Sequence, residues 1–211
     1  MMINRLGVFI LLFVFLESTA VAGSLEGKFD FKKRPAKGAV IYFSDDSSAS
    51  TEREVIVDQT KKQFNELIVV APKGAKVRFK NSDAVRHNVY ARNKAHNVKI
   101  DIGFLKPGEE KTQEVGWNEG IAAKMKCKIH ASMQAWVFLT SSQYYKAIDF
   151  KRKKKTSFVI NDVPDSLSKI TIWMTDLKKP LEVELPIGQT IEIKLKKRKK
   201  VRGTLTLTRK G

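Results

Sequence analysis

The sequence predicts an all-β protein, on three observations. Val, Ile, Thr and Phe recur in short runs, Pro-Gly, Lys-Gly and Asn/Asp signals break those runs, and no long stretch carries helical periodicity. The one candidate helix, around Gln59 to Leu67, is weakly patterned.

Before the first strand, Arg5 precedes an eleven-residue apolar run, Leu6 to Leu16, followed by Ala20-Val21-Ala22 and Gly23. This pattern is expected of a secretory signal peptide over 1–22, cleaved after Ala22, and it implies a periplasmic or secreted protein. A membrane-spanning helix needs about 20 apolar residues, so the run is too short to act as one. No cysteine follows it to carry a lipid, and no later stretch is long and apolar enough to span. A soluble mature chain is expected, long enough to bury a core without staples.

Gly27 to Phe43 reads as a strand, the basic turn Lys32-Lys33-Arg34-Pro35 and a second strand, Gly38 to Phe43. Ser44 to Thr51, rich in Ser and Asp, reads as a linker. Val77 to Tyr90 then holds a strand, a polar turn and a strand that opens with His87. Lys124-Met125-Lys126-Cys127 alternates, which points Met125 and Cys127 inward at a strand end and leaves His130 and Met133 on the turn beyond. After a second linker, Ser141 to Lys155, short strands follow at Ser157–Pro164, Lys169–Trp173, Leu181–Leu185 and Thr190–Leu195, a spacing of the β-sandwich kind.

The chain has a single cysteine. In an oxidising compartment such a residue is buried and inert, joined to another chain, or put to chemical use. Its neighbours point to use: a thiolate, two imidazoles and a weak thioether are the ligand set of blue copper. Cys127, His130 and Met133 sit in one seven-residue stretch, and His87 can reach them from a neighbouring strand. His96, in the polar stretch Arg92 to Asn97, reads as a solvated loop residue. Asn88, beside His87, is a candidate to hydrogen-bond the cysteine loop.

From Val55 to Thr140 the sequence resembles the cupredoxins. The resemblance rests on Val57-Asp58-Gln59, Val77 to Asp83, His87-Asn88-Val89-Tyr90, Asp101-Ile102-Gly103, Lys106 to Glu109 and Cys127 to Met133. The Cys-x2-His-x2-Met spacing is similar to the short loop of amicyanin, and the wider pattern to plastocyanin-like proteins labelled methylamine utilization proteins. The resemblance implies a Greek-key β-sandwich over 51–140 with one copper ion, Cu(I)/Cu(II), held by His87, Cys127, His130 and Met133. Ile129 stands where amicyanin has proline. The flanking strands resemble a carboxypeptidase-regulatory or transthyretin-like sandwich. This implies first strands at 23–50, the remainder at 141–200 and a basic C-terminal tail at 201–211, with a simple tandem as the other arrangement.

Formal net charge is +18, and residues 151–211 carry 17 Lys or Arg against 6 Asp or Glu. Nucleic acid is a poor partner for an exported protein. The basic runs read either as a solvated face and frayed tail, or as docking surface for an acidic redox protein or an anionic membrane. With every ligand position taken by the protein, a one-electron carrier and not an enzyme is expected. The alternative is a cell-envelope protein that binds or delivers copper without electron transfer.

Overall fold

The computed structural model describes residues 22–44, 54–197 and 200–211, and among them the chain is all β, as the sequence predicts, with one short 3-10 turn at Lys94–His96. The expected signal sequence up to Val21 and most of the first linker lie outside the described residues. Strands β1 (Ala22–Phe31) and β2 (Gly38–Phe43) come first. The middle of the chain forms β3 (Val55–Thr60), β4 (Gln63–Phe64), β5 (Ile68–Ala71), β6 (Lys76–Asn81), β7 (His87–Asn93), β8 (Val98–Leu105), β9 (Glu110–Glu114), β10 (Ala122–Lys126) and β11 (Gln134–Leu139). Then follow β12 (Tyr145–Asp149), β13 (Lys155–Pro164), β14 (Lys169–Met174), β15 (Leu181–Glu184), β16 (Thr190–Lys197) and β17 (Lys200–Lys210).

Strands β3 to β11 pair only among themselves, in a five-stranded sheet β5-β11-β10-β7-β8 and a four-stranded sheet β4-β3-β6-β9. Strands on either side of them in sequence form two further sheets, β13-β1-β17-β16 and β12-β2-β14-β15. Each pair of sheets closes on its own core. Val57, Val77, Phe79, Val89, Met125 and Val137 fill the first, Leu25, Phe29, Ile41, Phe150, Ile172 and Leu205 the second. In the second core Phe150 meets Phe29 and Phe31 edge-on at 4.9 and 5.0 Å, contacts worth about 0.5–1.5 kcal/mol each beyond their burial. Gly27 is obligatory there, since a Cβ would lie 2.1 Å from the Phe158 ring.

Strands β2 and β5 are buried at every position, and β11 at all but its first. Alternate residues of these strands face a third cluster of Val40, Tyr42, Ile68, Val70, Trp136 and Phe138, joined by Trp173. That cluster glues the two sandwiches together, so the four sheets stack as layers. Continuous apolar runs such as Gly38 to Phe43 are what a strand covered on both faces requires.

Three expectations need correction. Gln59 to Leu67 is not helical: Lys61 and Lys62 both take positive φ (49° and 57°), the chain reverses there, and β4 pairs back onto β3. The basic tail at 201–211 is instead strand β17, laid between β1 and β16. Its Gly203, Leu205 and Leu207 point inward while threonines separate them, a two-residue period that the surrounding positive charge obscures. The second linker, Ser141 to Lys155, contains β12, whose Tyr145 pairs with Tyr42 of β2.

Candidate metal centre

Strand β7 opens with His87, and the turn before it sets the ring. Asn81, fully buried at the end of β6, donates from Nδ2 to the carbonyls of Val85 (2.9 Å) and Leu105 (3.0 Å), and its Oδ1 accepts the Asp83 N–H at 3.0 Å. A buried amide satisfied in this way pins the loop 82–86 to two strands. The loop presents a carboxylate to the histidine. Asp83 Oδ2 lies 2.9 Å from His87 Nε2 and accepts the Lys62 N–H at 2.7 Å, while Oδ1 accepts the Ala84 N–H at 2.7 Å. The Lys62 N–H first, and then the His87 ring, hold the Asp83 carboxyl down to about 2, so it is anionic. A carboxylate beside Nε2 fixes the proton on that nitrogen and leaves Nδ1 with its lone pair, the arrangement that orients a metal-ligating imidazole.

Cys127 follows β10, whose Ala123 and Met125 already face the core, and its side chain is 3 % exposed. Asn88 holds it in place. The Asn88 backbone N–H points at Cys127 Sγ (3.4 Å), its Oδ1 accepts the Lys128 N–H (3.3 Å), and its Nδ2 donates to the Gly103 carbonyl (3.1 Å). Gly103 takes φ of 70° at a bulge between β7 and β8, a conformation glycine adopts without strain. The sequence's expectation for Asn88 is met by these bonds.

The loop closes on itself where Met133 N–H donates to the His130 carbonyl at 3.0 Å. This turn swings His130 back over the cysteine. His87 Nδ1 and His130 Nδ1 face each other at 3.0 Å, Cys127 Sγ is 3.8 Å from His130 Nδ1, and one donor atom from each of the three residues lies within 4.8 Å of the others. Donors sharing one ion at about 2.0 Å for nitrogen and 2.3 Å for sulfur stand about 3–4 Å apart, so the spacing fits a single ion. Burial lowers the His130 pKa, and His87 and Lys62 lower it further against a smaller opposing effect of Asp83, so the ring is kept neutral, the form that ligates. Met133 is buried in the same apolar cluster as Cys127. His87 is fully buried, His130 is part-exposed, and His96 lies exposed on the 3-10 turn, away from this group.

Asp83 and Asn81 are the site residues that sequence reasoning left without a role. Their signal was a carboxylate four positions before the histidine in a polar turn.

No family model matches the chain, and no curated protein matches its sequence. Solved structures similar to part of it include a purple cupredoxin from Nitrosopumilus maritimus, 19% identical, with 41% of this chain and 100% of that one covered at a TM-score of 0.35. Amicyanin from Paracoccus versutus is 16% identical, with 50% and 100% covered and a TM-score of 0.36. The copper-containing nitrite reductase of Thermus scotoductus SA-01 is 18% identical at a TM-score of 0.38, with 47% of this chain and 25% of the reductase covered. These structures are cupredoxins or contain the cupredoxin fold.

Proposed function

We propose that the protein is an exported type 1 copper protein, periplasmic or secreted, that carries single electrons between redox partners and catalyses no reaction itself. The observation that carries this reading is the convergence of one donor atom each from His87, Cys127 and His130 within 4.8 Å, with Met133, buried in the same core cluster as Cys127, as the proposed axial thioether. One thiolate, two imidazoles and a weak thioether match copper better than any other common metal. Bound copper would supply a one-electron couple and an intense sulfur-to-metal charge-transfer colour. The chain's own part is to hold the donors in one geometry for both oxidation states. Asp83 and Asn81 lock His87, Asn88 locks Cys127, and the His130–Met133 turn locks the rest.

The partly exposed His130 ring offers the route for the electron. Ile129, Val85 and Phe104 are exposed on the loops and strand that flank the ligands, with Arg86 stacked over Phe104 at 5.2 Å. Exposed apolar side chains with the cations Arg86, Lys106 and Lys128 on the same loops and strands suit an acidic redox protein; an anionic membrane surface is the other partner such charge would attract.

Copper titration of the purified mature chain tests the assignment. A strong visible band should appear at one equivalent, bleach on reduction and return on oxidation. Cys127→Ser should abolish the band and leave the β-sheet circular dichroism intact, because an isolated cysteine staples nothing. A variant that kept the colour would sink the reading. A protein that takes up copper without a reversible band would instead be a copper-delivery protein.

A further inference from the structure

We propose that the cleft between the two sandwiches is a binding site for a small polyvalent oxyanion of the phosphate class. This inference is independent of the copper assignment. The cleft has a volume of about 320 Å³, at the lower end of the 300–1,000 Å³ usual for small-molecule sites. Arg34, Lys37, Lys124, Lys197 and Arg202 converge on it, and Asp176 is the one carboxylate among the described residues that line it. The cations come from distant parts of the chain. Arg34 and Lys37 lie between β1 and β2, Lys124 on β10, and Lys197 and Arg202 on β16 and β17.

Such a gathering is unfavourable unless something negative offsets it. Asp176 engages Lys197 at 3.6 Å, while Arg34, Lys37, Lys124 and Arg202 have no carboxylate partner among the described residues. Burial lowers the Lys124 pKa first, and Lys126 and Lys37 lower it further, the mark of an ammonium held among its own kind; it rests over the Trp136 ring at 5.6 Å. Arg202 donates from Nη2 to the Arg34 carbonyl at 3.3 Å, yet its Nε is buried with no acceptor. Thr175 Oγ1 accepts the N–H groups of Lys37 (3.0 Å) and Gly38 (3.3 Å), so its own proton is left to donate. Guanidinium forks, ammonium groups and a hydroxyl donor, with one acidic group already engaged, are the donor set that recognises a phosphate-like anion.

The probe is inorganic pyrophosphate, titrated calorimetrically into the full chain freed of metal, so that chelation plays no part. The expected result is a saturable isotherm of one anion per chain at 0.15 M NaCl, with a matching rise in melting temperature. Lys124→Gln with Arg202→Gln should weaken binding by about tenfold or more. Lys153→Gln with Lys154→Gln, which removes the same charge from an exposed turn, should leave it within about twofold. If the first pair fails to fold, Lys37→Gln alone should still weaken binding. Equal losses from both pairs, or heat that vanishes at 0.15 M salt, would overturn the site and leave only diffuse attraction to a basic protein. Phosphatidylglycerol vesicles form the last arm: displacement of pyrophosphate identifies a lipid headgroup as the source of the anion, and no displacement identifies a free solute.

Discussion

A single residue, Asp83, decides more about this centre than its place in a polar turn suggests. Its anionic carboxylate is held by two backbone N–H groups and aimed at His87 Nε2, so it raises the donor strength of the ring and favours the more highly charged metal. Asp83→Asn should therefore keep copper and colour but move the midpoint potential upward by tens of millivolts. A tenfold change in the ratio of the two affinities corresponds to about 59 mV for one electron. Voltammetry of the variant checks this; an unchanged potential would reduce Asp83 to a loop anchor. Met133→Leu should also retain copper and raise the potential, because a weak donor to the oxidised ion is gone. At this scale the sequence was informative where chemistry concentrates in rare residues. One cysteine and three histidines leave few ways to build a site. It was silent on Asp83 and Asn81 because Asp and Asn are common in turns for their own sake.

At the scale of elements, strand periodicity was legible wherever one face is wet. Strands β1, β6 and β13 show it, with Leu25, Phe29 and Phe31, Val77 and Phe79, and Phe158 and Ile160 turned inward. Three features escaped. The two-residue β4 is too short for any pattern, β12 sits in a stretch whose serines and lysines read as linker, and β17 is masked by its charge. Strand β17 carries the next prediction. Gly203 lies against β1 so closely that a Cβ would stand 2.3 Å from the Asp30 carbonyl oxygen. Gly203→Val should destabilise by about 1–3 kcal/mol or more, read as a lower urea midpoint. Deleting residues 201–211 should unfold the sandwich that contains β1 altogether. A deletion that left the melting temperature unchanged would mean the strand is dispensable after all. The unusual Arg209 belongs to this element: it is fully buried and donates to the carbonyls of Ser24, Val163, Pro164 and Lys210. Backbone oxygens thus engage both Nη atoms of a guanidinium that has no ion pair among the described residues, while its Nε is buried without an acceptor.

For the whole molecule, neither the stacking of the four sheets nor the cleft between the sandwiches could be read from the sequence, since both depend on which outer faces meet. What the sequence did carry is the charge. The turn of Lys151 and Arg152, both at positive φ and exposed, projects it from the second sandwich. Electron exchange with an acidic partner should slow steeply as salt shortens the screening length to about 10 Å at 0.1 M. Reversing the charges of Lys151 to Lys155 should slow it at low salt without altering the copper spectrum. Stopped-flow rates that stay flat with ionic strength would instead assign these charges to solubility or to a membrane surface. The pairing of β1 has a further bearing on how the molecule comes to exist. Ser24 meets Arg209 across 185 residues of chain, so the first strand to emerge must wait for β13 and β17 before its edges are covered. Strands β3 to β11, closed among themselves, can collapse in the meantime, whereas β1 and β2 stay open to stray pairing with other chains. Yield of folded protein should thus be limited by how long those two early strands remain unpaired, and a holding chaperone would act there and not at the proposed metal centre.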